Sequence, residues 1–309
     1  SIMSKIFDTV TPQATSNLFK RCILVKLNVS AYTGRKLDKN VSAEIDEQKQ
    51  TKTKGGNYNK ILFPQCERFK AIGQQINVVR DFVNTNTNVF EKGGWRIMKF
   101  SNYIPFCEQI NPMLDKLEKL IDDFTDETNY EESVTSSIFL LNNLVTRGEY
   151  PSAQEIKRKF RYRLEECPVP SGSFHVQATE EVRQKLESDM IATMTEKLAT
   201  SMEDVVGRIQ DVVHKAIKGL EDLPVPVKTK QGLKNHQTFR DTLLGNIHDI
   251  CDIGDSLNLT DDPKITKLIS DLRQAVNGRD AQMCRDSDSV RHATKRSLED
   301  VVSKYGLGQ

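Results

Sequence analysis

Cations and aromatics interleave along Lys157-Arg158-Lys159-Phe160-Arg161-Tyr162-Arg163-Leu164. In an extended chain Lys159, Arg161 and Arg163 share one face, and Phe160, Tyr162 and Leu164 share the other. A strand of this kind suits phosphate contact on its charged side and core packing on its apolar side. A surface Tyr162 would add a ring on which an unpaired base can stack. The aromatics are better placed in the core, and the arginines on phosphate.

A second basic stretch lies upstream. Residues 20 to 60 hold ten basic side chains: Lys20, Arg21, Lys26, Arg35, Lys36, Lys39, Lys49, Lys52, Lys54 and Lys60. Four acids oppose them (Asp38, Glu44, Asp46 and Glu47), a local balance of +6. The run around Lys49, Lys52 and Lys54 has no acid between Glu47 and Glu67. A mobile cationic loop gains affinity for a phosphate backbone by displacing counterions. The same loop also reads, equally well, as a solvated surface whose lysines only aid solubility. The nucleic-acid candidates are therefore Arg35, Lys36, Lys49, Lys52, Lys54, Lys157, Arg158, Arg161 and Arg163.

Catalytic chemistry finds no support. There is no GxxxxGK[ST] phosphate loop, no GxGxxG, no HExxH and no paired CxxC. The five histidines are far apart. His248, Cys251, Asp252 and Asp255 could share a helix face, but a metal needs three or four converging ligands with supporting contacts. Cys251 reads instead as a small core residue and His248 as a boundary one. No metal, no cofactor and no enzymatic activity are expected.

The elements that must position the basic patches follow from periodicity. Ile23, Val25, Leu27, Val29 and Ala31 alternate with polar residues as in a half-buried strand, ended by Thr33-Gly34. Residues 48 to 60 contain no large aliphatic side chain and read as a flexible loop. Phe69, Ile72, Ile76, Val79 and Val83 mark a helix, and Trp95 to Met98 a short strand. Asn111-Pro112 has the form of a helix start, with Leu114, Leu117, Ile121 and Phe124 on its inner face. Another helix runs from about Glu131. The prolines and Ser-Gly-Ser of residues 165–177 then mark a boundary.

Beyond it, Thr179 to Asp222 has no proline and only two glycines. Leu198, Met202, Val205, Ile209, Val212 and Ala216 step by four and three, a heptad-like seam. The seam is irregular before Leu198. This long helix, at about 179–222, carries ten acids and six bases, a better protein surface than a nucleic-acid one. Its seam, Leu198, Met202, Val205, Ile209 and Val212, is the candidate oligomerisation surface, set against a plain intramolecular bundle, which this pattern favours slightly over a coil between copies. Leu223-Pro224-Val225-Pro226 stops it. A linker leads to Phe239, Leu243, Ile247, Ile250 and Leu257 at helical spacing, then to a helix capped by Asp262-Pro263. The fold expected is α+β and predominantly helical: a small mixed half, residues 1–170, then an all-α bundle, residues 171–309.

Bulk properties bound the function. Lys plus Arg number 44 and Asp plus Glu 43, a net charge of +1. Any nucleic-acid surface must therefore be local, and a histone-like protein is excluded. No apolar run approaches the ~20 residues that cross a bilayer, and no cleavable signal is evident, so no membrane role is expected. Six scattered cysteines suit thiols in a reducing cytosol.

Five runs stand out: Ala31-Tyr32-Thr33-Gly34-Arg35-Lys36-Leu37-Asp38, Asn59-Lys60-Ile61-Leu62-Phe63-Pro64, Gly94-Trp95-Arg96-Ile97-Met98, Glu149-Tyr150-Pro151-Ser152 and Cys167-Pro168-Val169-Pro170. Together they resemble a family of domains of unknown function found in tailed phages and mobile elements. The resemblance covers about residues 20 to 177 and brings no catalytic residues with it. It implies a phage protein in the bacterial host cytoplasm, encoded near MoxR-like AAA+ ATPases and DNA-replication or recombination genes. The function expected is a non-enzymatic, nucleic-acid-binding accessory protein, DNA favoured, that forms a homo-oligomer through its helical half. A protein-binding adaptor or regulator of an AAA+ ATPase is the alternative. A structural or defence-targeting phage protein is a further one.

Overall fold

The computed structural model describes residue 2 and residues 8–170, 177–221, 227–229, 232–234 and 242–308. The Leu223-Pro224-Val225-Pro226 stop is outside them, as are Phe239, much of the following linker and part of the boundary at 165–177. The architecture is α+β and mainly helical, with a small sheet among the N-terminal elements and one long helix. The chain forms two compact units. Unit 1 comprises residues 1–26, 84–104 and 166–309; unit 2 comprises residues 27–83 and 105–165. They do not follow one cut in the chain, because the division falls within four continuous elements.

Those four elements are β1 (Cys22–Ser30), a helix at Glu67–Asn86, a helix at Tyr103–Thr125 and a strand at Arg161–Pro168. In chain order the remaining labels are α1 (Pro12–Phe19), β2 (Arg35–Asp38), α2 (Lys39–Gln48), β3 (Tyr58–Ile61), α3 (Glu67–Asn86), β4 (Asn88–Val89) and β5 (Arg96–Lys99). They continue with α4 (Tyr103–Thr125), α5 (Glu127–Leu141), α6 (Ala153–Lys159) and β6 (Arg161–Pro168). The later elements are α7 (Glu180–Gly219), β7 (Val227–Thr229), β8 (Gly232–Lys234), α8 (Thr242–Leu257), α9 (Pro263–Ala275), α10 (Ala281–Asp286) and α11 (Asp288–Tyr305). The main sheet has the order β4-β5-β1-β6, and β1 pairs antiparallel with β5 in the register Cys22↔Lys99.

Unit 1 is organised by α7. Thr179 caps its start by accepting from the Val182 amide, and Glu180 and Glu181 sit at the positive end of the helix dipole. Its 40 residues span about 60 Å. The expected seam begins where the structure begins to bury the helix: no residue before Leu198 is fully buried. From there Leu198, Met202, Val205, Val206, Ile209, Val213 and Ala216 enter the core of unit 1. That stripe is wider than a two-in-seven seam because α7 meets α8, α1, β4 and α11. Val212 is only half-buried, and Val213 takes the core position. Asp262 and Pro263 start α9 as expected, the Asp262 side chain accepting from the Lys264 amide at 2.8 Å. Here α8 and α9 cross closely: a Cβ on Gly254 would stand 2.3 Å from Ile269 Cδ1.

Unit 2 is built around rings. Phe63 has Tyr32, Phe69, Phe124, Tyr130 and Tyr150 within 5.3–6.3 Å of its ring centre. Such pairs add about 0.5–1.5 kcal/mol each beyond area burial. Tyr150 Oη donates to Leu62 O at 2.7 Å, and Tyr130 Oη donates to Pro151 O. Gly34 makes the turn that ends the first strand, at φ +63°, and a Cβ there would lie 2.9 Å from the Phe69 ring. Gly34→Ala is expected to lower the stability of unit 2 by about 1–2 kcal/mol, the cost of a left-handed residue bearing a side chain. The check is a fall in the urea midpoint at unchanged slope.

Two local readings are corrected. The helix expected to begin at Asn111-Pro112 begins at Tyr103, and Pro112 lies inside it. Phe106 and Ile110 extend the buried stripe upstream of the proline, and their burial outweighs the roughly 3 kcal/mol that an interior proline costs. The stretch read as loop to residue 60 enters a strand at Tyr58. Its pairing with β2 runs Arg35↔Ile61 to Asp38↔Tyr58. The Tyr58 amide donates to Ser42 Oγ, which itself donates to Asp38 O, tying β3 to the start of α2.

Candidate nucleic-acid interface

All nine expected cations belong to unit 2. The first group is set by α6 and β6. Ser152 and Glu155 form a capping box at the start of α6, so its last turn presents Lys157, Arg158 and Lys159 at the negative end of the helix dipole. Phe160 then leaves the helix and is buried among the unit 2 rings. Arg161 and Arg163 alternate outward along β6, both exposed, while Tyr162 and Leu164 are half-buried. The proposed division of faces holds from residue 160 onward. Lys159 is the exception, because it ends the helix rather than joining the strand, and its ammonium stands over the Tyr32 ring at 5.3 Å. Tyr162 is half-buried and not a fully exposed ring. It packs against the core of unit 2, and burial, with Glu118, Asp122 and Asp115 alongside, raises its phenol above the ordinary value.

The second group surrounds β2, α2 and β3. Arg35 is exposed on β2, opposite Ile61. Lys49, Lys52 and Lys54 follow α2 and are exposed. Their segment is folded back on Asp46, whose carboxylate accepts from the Gly55 amide at 3.0 Å. Asp46, Lys49, Thr51 and Gly55 line a shallow concavity of about 280 Å³ with Ile45 and Tyr58.

Carboxylates decide which of these charges remain available. Lys157 Nζ is 2.7 Å from Asp122, and Lys36 Nζ is 3.6 Å from Glu149. Among the described residues the other seven, Arg35, Lys49, Lys52, Lys54, Arg158, Arg161 and Arg163, have no carboxylate within salt-bridge distance. Unit 2 carries equal numbers of acidic and basic side chains, so its positive surface exists only by segregation. Part of the acid collects on α5, where Glu127, Glu131 and Glu132 flank a groove with Thr135 and Ser136.

Lys60, counted with the basic stretch, is a buried strut rather than a surface charge. Its ammonium lies 2.6 Å from Glu149 and 3.0 Å from Asp38, and it donates to Leu144 O at 3.0 Å. Burial alone would lower its pKa, but the two carboxylates outweigh that and hold it above the ordinary lysine value. Three runs distant in the sequence meet at this strut and at the Phe63 rings. Lys60 and Phe63 come from one run, Glu149 and Tyr150 from another, and Gly34 and Asp38 from a third. A fourth run supplies Arg96 of unit 1, which donates to Asn84 O and Thr87 O at the end of α3. Burial and the neighbouring Arg208 lower the Arg96 guanidinium to about 10.

The seam expected to join copies of the chain is consumed within it. Leu198, Met202, Val205 and Ile209 are at most 1% exposed and pack in one cluster with Ile247, Leu268 and Leu298. Within the single chain this stretch of the helix packs as the plain intramolecular bundle would.

Reactive groups are scarce. Cys251 is buried beneath α9, its thiol donating to Ile269 O and pushed up to about 11 by burial. Burial pushes Cys22 up to about 12. Among the described residues no three His, Cys, Asp or Glu side chains stand close enough to hold a metal ion. No described helix is long and apolar enough to cross a membrane. One surface escaped sequence reasoning: a cleft of unit 1 where Lys20 and Arg21 meet Lys99 and an exposed Phe100. Its signal was two short cation-bearing runs nearly eighty residues apart, which only the β1–β5 pairing joins.

Compared with known proteins, the chain matches no family model, no curated protein and no solved structure.

Proposed function

We propose that the protein is a non-enzymatic, nucleic-acid-binding accessory factor, with DNA as the favoured ligand, acting in phage or mobile-element replication or recombination. The observation that supports it most directly is the cluster Arg158, Arg161 and Arg163. These guanidiniums follow one another from the end of a helix onto one face of a strand, exposed and without carboxylate partners among the described residues. Arginine at such positions pairs with phosphate oxygens in a bidentate fork. Arg35 and the lysines beyond α2 add to the same sequence-independent attraction.

The test is fluorescence anisotropy with a labelled duplex across a salt series. Binding is expected to weaken steeply with salt, by about 0.9 logarithmic units per decade for each phosphate contact. Arg161→Glu with Arg163→Glu should reduce that slope by about 2 and lower affinity by at least about 10-fold at low salt. Absence of binding at micromolar protein and ~50 mM salt overturns the reading.

One observation favours the second reading, a protein-binding adaptor or regulator of an AAA+ ATPase. Near the end of α5, Phe139 is 84% exposed and Leu140 49% exposed. A large apolar pair about two turns beyond Glu131 and Glu132 on the same helix suits a protein partner. The contact would then lie on α5 and not on the seam of α7. Co-purification with an ATPase that resists nuclease and is lost in Phe139→Ser would favour it.

A further inference from the structure

The cleft of unit 1 has a composition that matches one ligand chemistry. Its volume is about 560 Å³, within the range of small-ligand sites, and Leu18 and Leu259 contribute apolar lining. The antiparallel register that pairs Cys22 with Lys99 continues one step outward, where the Phe100 amide donates to Arg21 O at 2.8 Å. Two strand ends therefore deliver Arg21 and Phe100 side by side, with Lys20 and Lys99 as their chain neighbours. Lys20 and Arg21 are exposed, and neither has a carboxylate within salt-bridge distance among the described residues. Lys99 is held in place by Asp261 at 2.6 Å.

Phe100 is the unusual member. It remains 56% exposed, although it follows closely on the buried Ile97 and Met98 of β5. Its ring is stacked on Tyr103, with centres 5.7 Å apart and planes inclined by 19°. Tyr103 is in turn fixed by its hydroxyl, which donates to Glu166 at 2.9 Å. The ring is thus a supported platform rather than a loose apolar side chain. Exposed rings in a positive groove are how proteins take up unpaired bases, because every base has a stackable face and each base is followed by a phosphate.

We propose that this cleft binds the nucleobase-phosphate unit of a single-stranded nucleic acid, the base stacking on Phe100 and the phosphate held by Lys20 and Arg21. The site belongs to unit 1, whereas the arginines of β6 belong to unit 2, so the inference goes beyond the duplex-binding surface. It also places the stacking ring at Phe100, which is mostly exposed, rather than at Tyr162, which the sequence already placed better in the core and which is half-buried.

The experiment uses the full chain and a fluorescein-labelled oligo-dT, with ADP as competitor. Phe100→Ala is expected to weaken oligonucleotide binding by at least about 10-fold, and Phe100→Trp to restore or strengthen it. Phe100→Leu keeps the apolar surface without the ring and should resemble Phe100→Ala. Lys20→Gln with Arg21→Gln should flatten the salt dependence by up to about 1.5. Circular dichroism melts identical to the parent chain exclude misfolding as the cause. Competition by ADP at concentrations near those of the oligonucleotide would assign the same site to free nucleotides, and no competition assigns it to the strand. Duplex binding retained in Phe100→Ala but lost on charge reversal of Arg161 and Arg163 separates this site from the surface of unit 2. Equal oligonucleotide binding by the parent chain and Phe100→Ala, or none by either at ~50 mM salt, overturns the proposal.

Discussion

Replacing Lys60 with methionine is expected to remove about 3–5 kcal/mol from the stability of unit 2, a large share of the 5–15 kcal/mol typical of a domain. The volume is nearly kept, so the cost is electrostatic. Glu149 and Asp38 would lose the ammonium they share, and Leu144 O would lose its donor. Hydrogen exchange of residues 58–63 and 146–150 reports it directly. The pH dependence carries a sign. In the parent chain Glu149 is held below the ordinary carboxylate range, first by its hydrogen bond from Lys60. Asp38 is also held low, first by the Val41 amide and then by Lys60. Folded values below the unfolded ones mean stability that is present above about pH 4.5 and lost as acid protonates these groups. Without Lys60 the half-buried Glu149 would lose the main cause that holds its carboxyl low, and acid would relieve the loss. The gap between variant and parent should therefore narrow from pH 7 to pH 3. A constant gap over that range would show that Lys60 acts through packing alone.

Met202→Ala is the second large effect. The side chain is fully buried in unit 1, in the stretch where α7 packs against its neighbours, and the loss expected is about 2–5 kcal/mol. The informative comparison is denaturation at two protein concentrations tenfold apart. A core within one chain gives midpoints that do not move with concentration in either protein. A seam between copies would raise the midpoint of the parent chain at the higher concentration, because dissociation would be linked to unfolding. The same titration separates the two readings weighed for this helix.

What was legible in the sequence was local. The proline-free run from Thr179, Asp262 before Pro263, and the even alternation from Ile23 each specify an element through its nearest neighbours, and each element is found. The irregularity before Leu198 likewise marks where burial of α7 begins. What was not legible depended on pairing across the chain. Tyr58 to Ile61 has no strand pattern of its own and becomes a strand only opposite β2. Pro112 looks like a beginning because its local signal is strong, yet the apolar stripe through Phe106 and Ile110 extends the helix past it. Lys60 has the composition of a surface residue, and only the approach of Glu149 from nearly ninety positions away makes it a buried strut. The candidate site divides in the same way. The arginines of β6 were readable from alternation, whereas Phe100 beside Arg21 required the register of two strands.

The interleaving of the two units sets an order on biosynthesis. Every residue of unit 2 has been polymerised once Glu165 is added, so its ring cluster can close soon after that segment clears the ribosome. Unit 1 is in the opposite position. Residues 1–26 and 84–104 must wait for helices that are not translated until the second half of the chain. During that interval Leu18, Leu24 and Ile97 have none of their eventual α7 to α11 neighbours, and the nascent chain passes through a stage in which one half is finished and the other is open. Synthesis rate and chaperone supply should therefore govern the yield of unit 1 far more than that of unit 2.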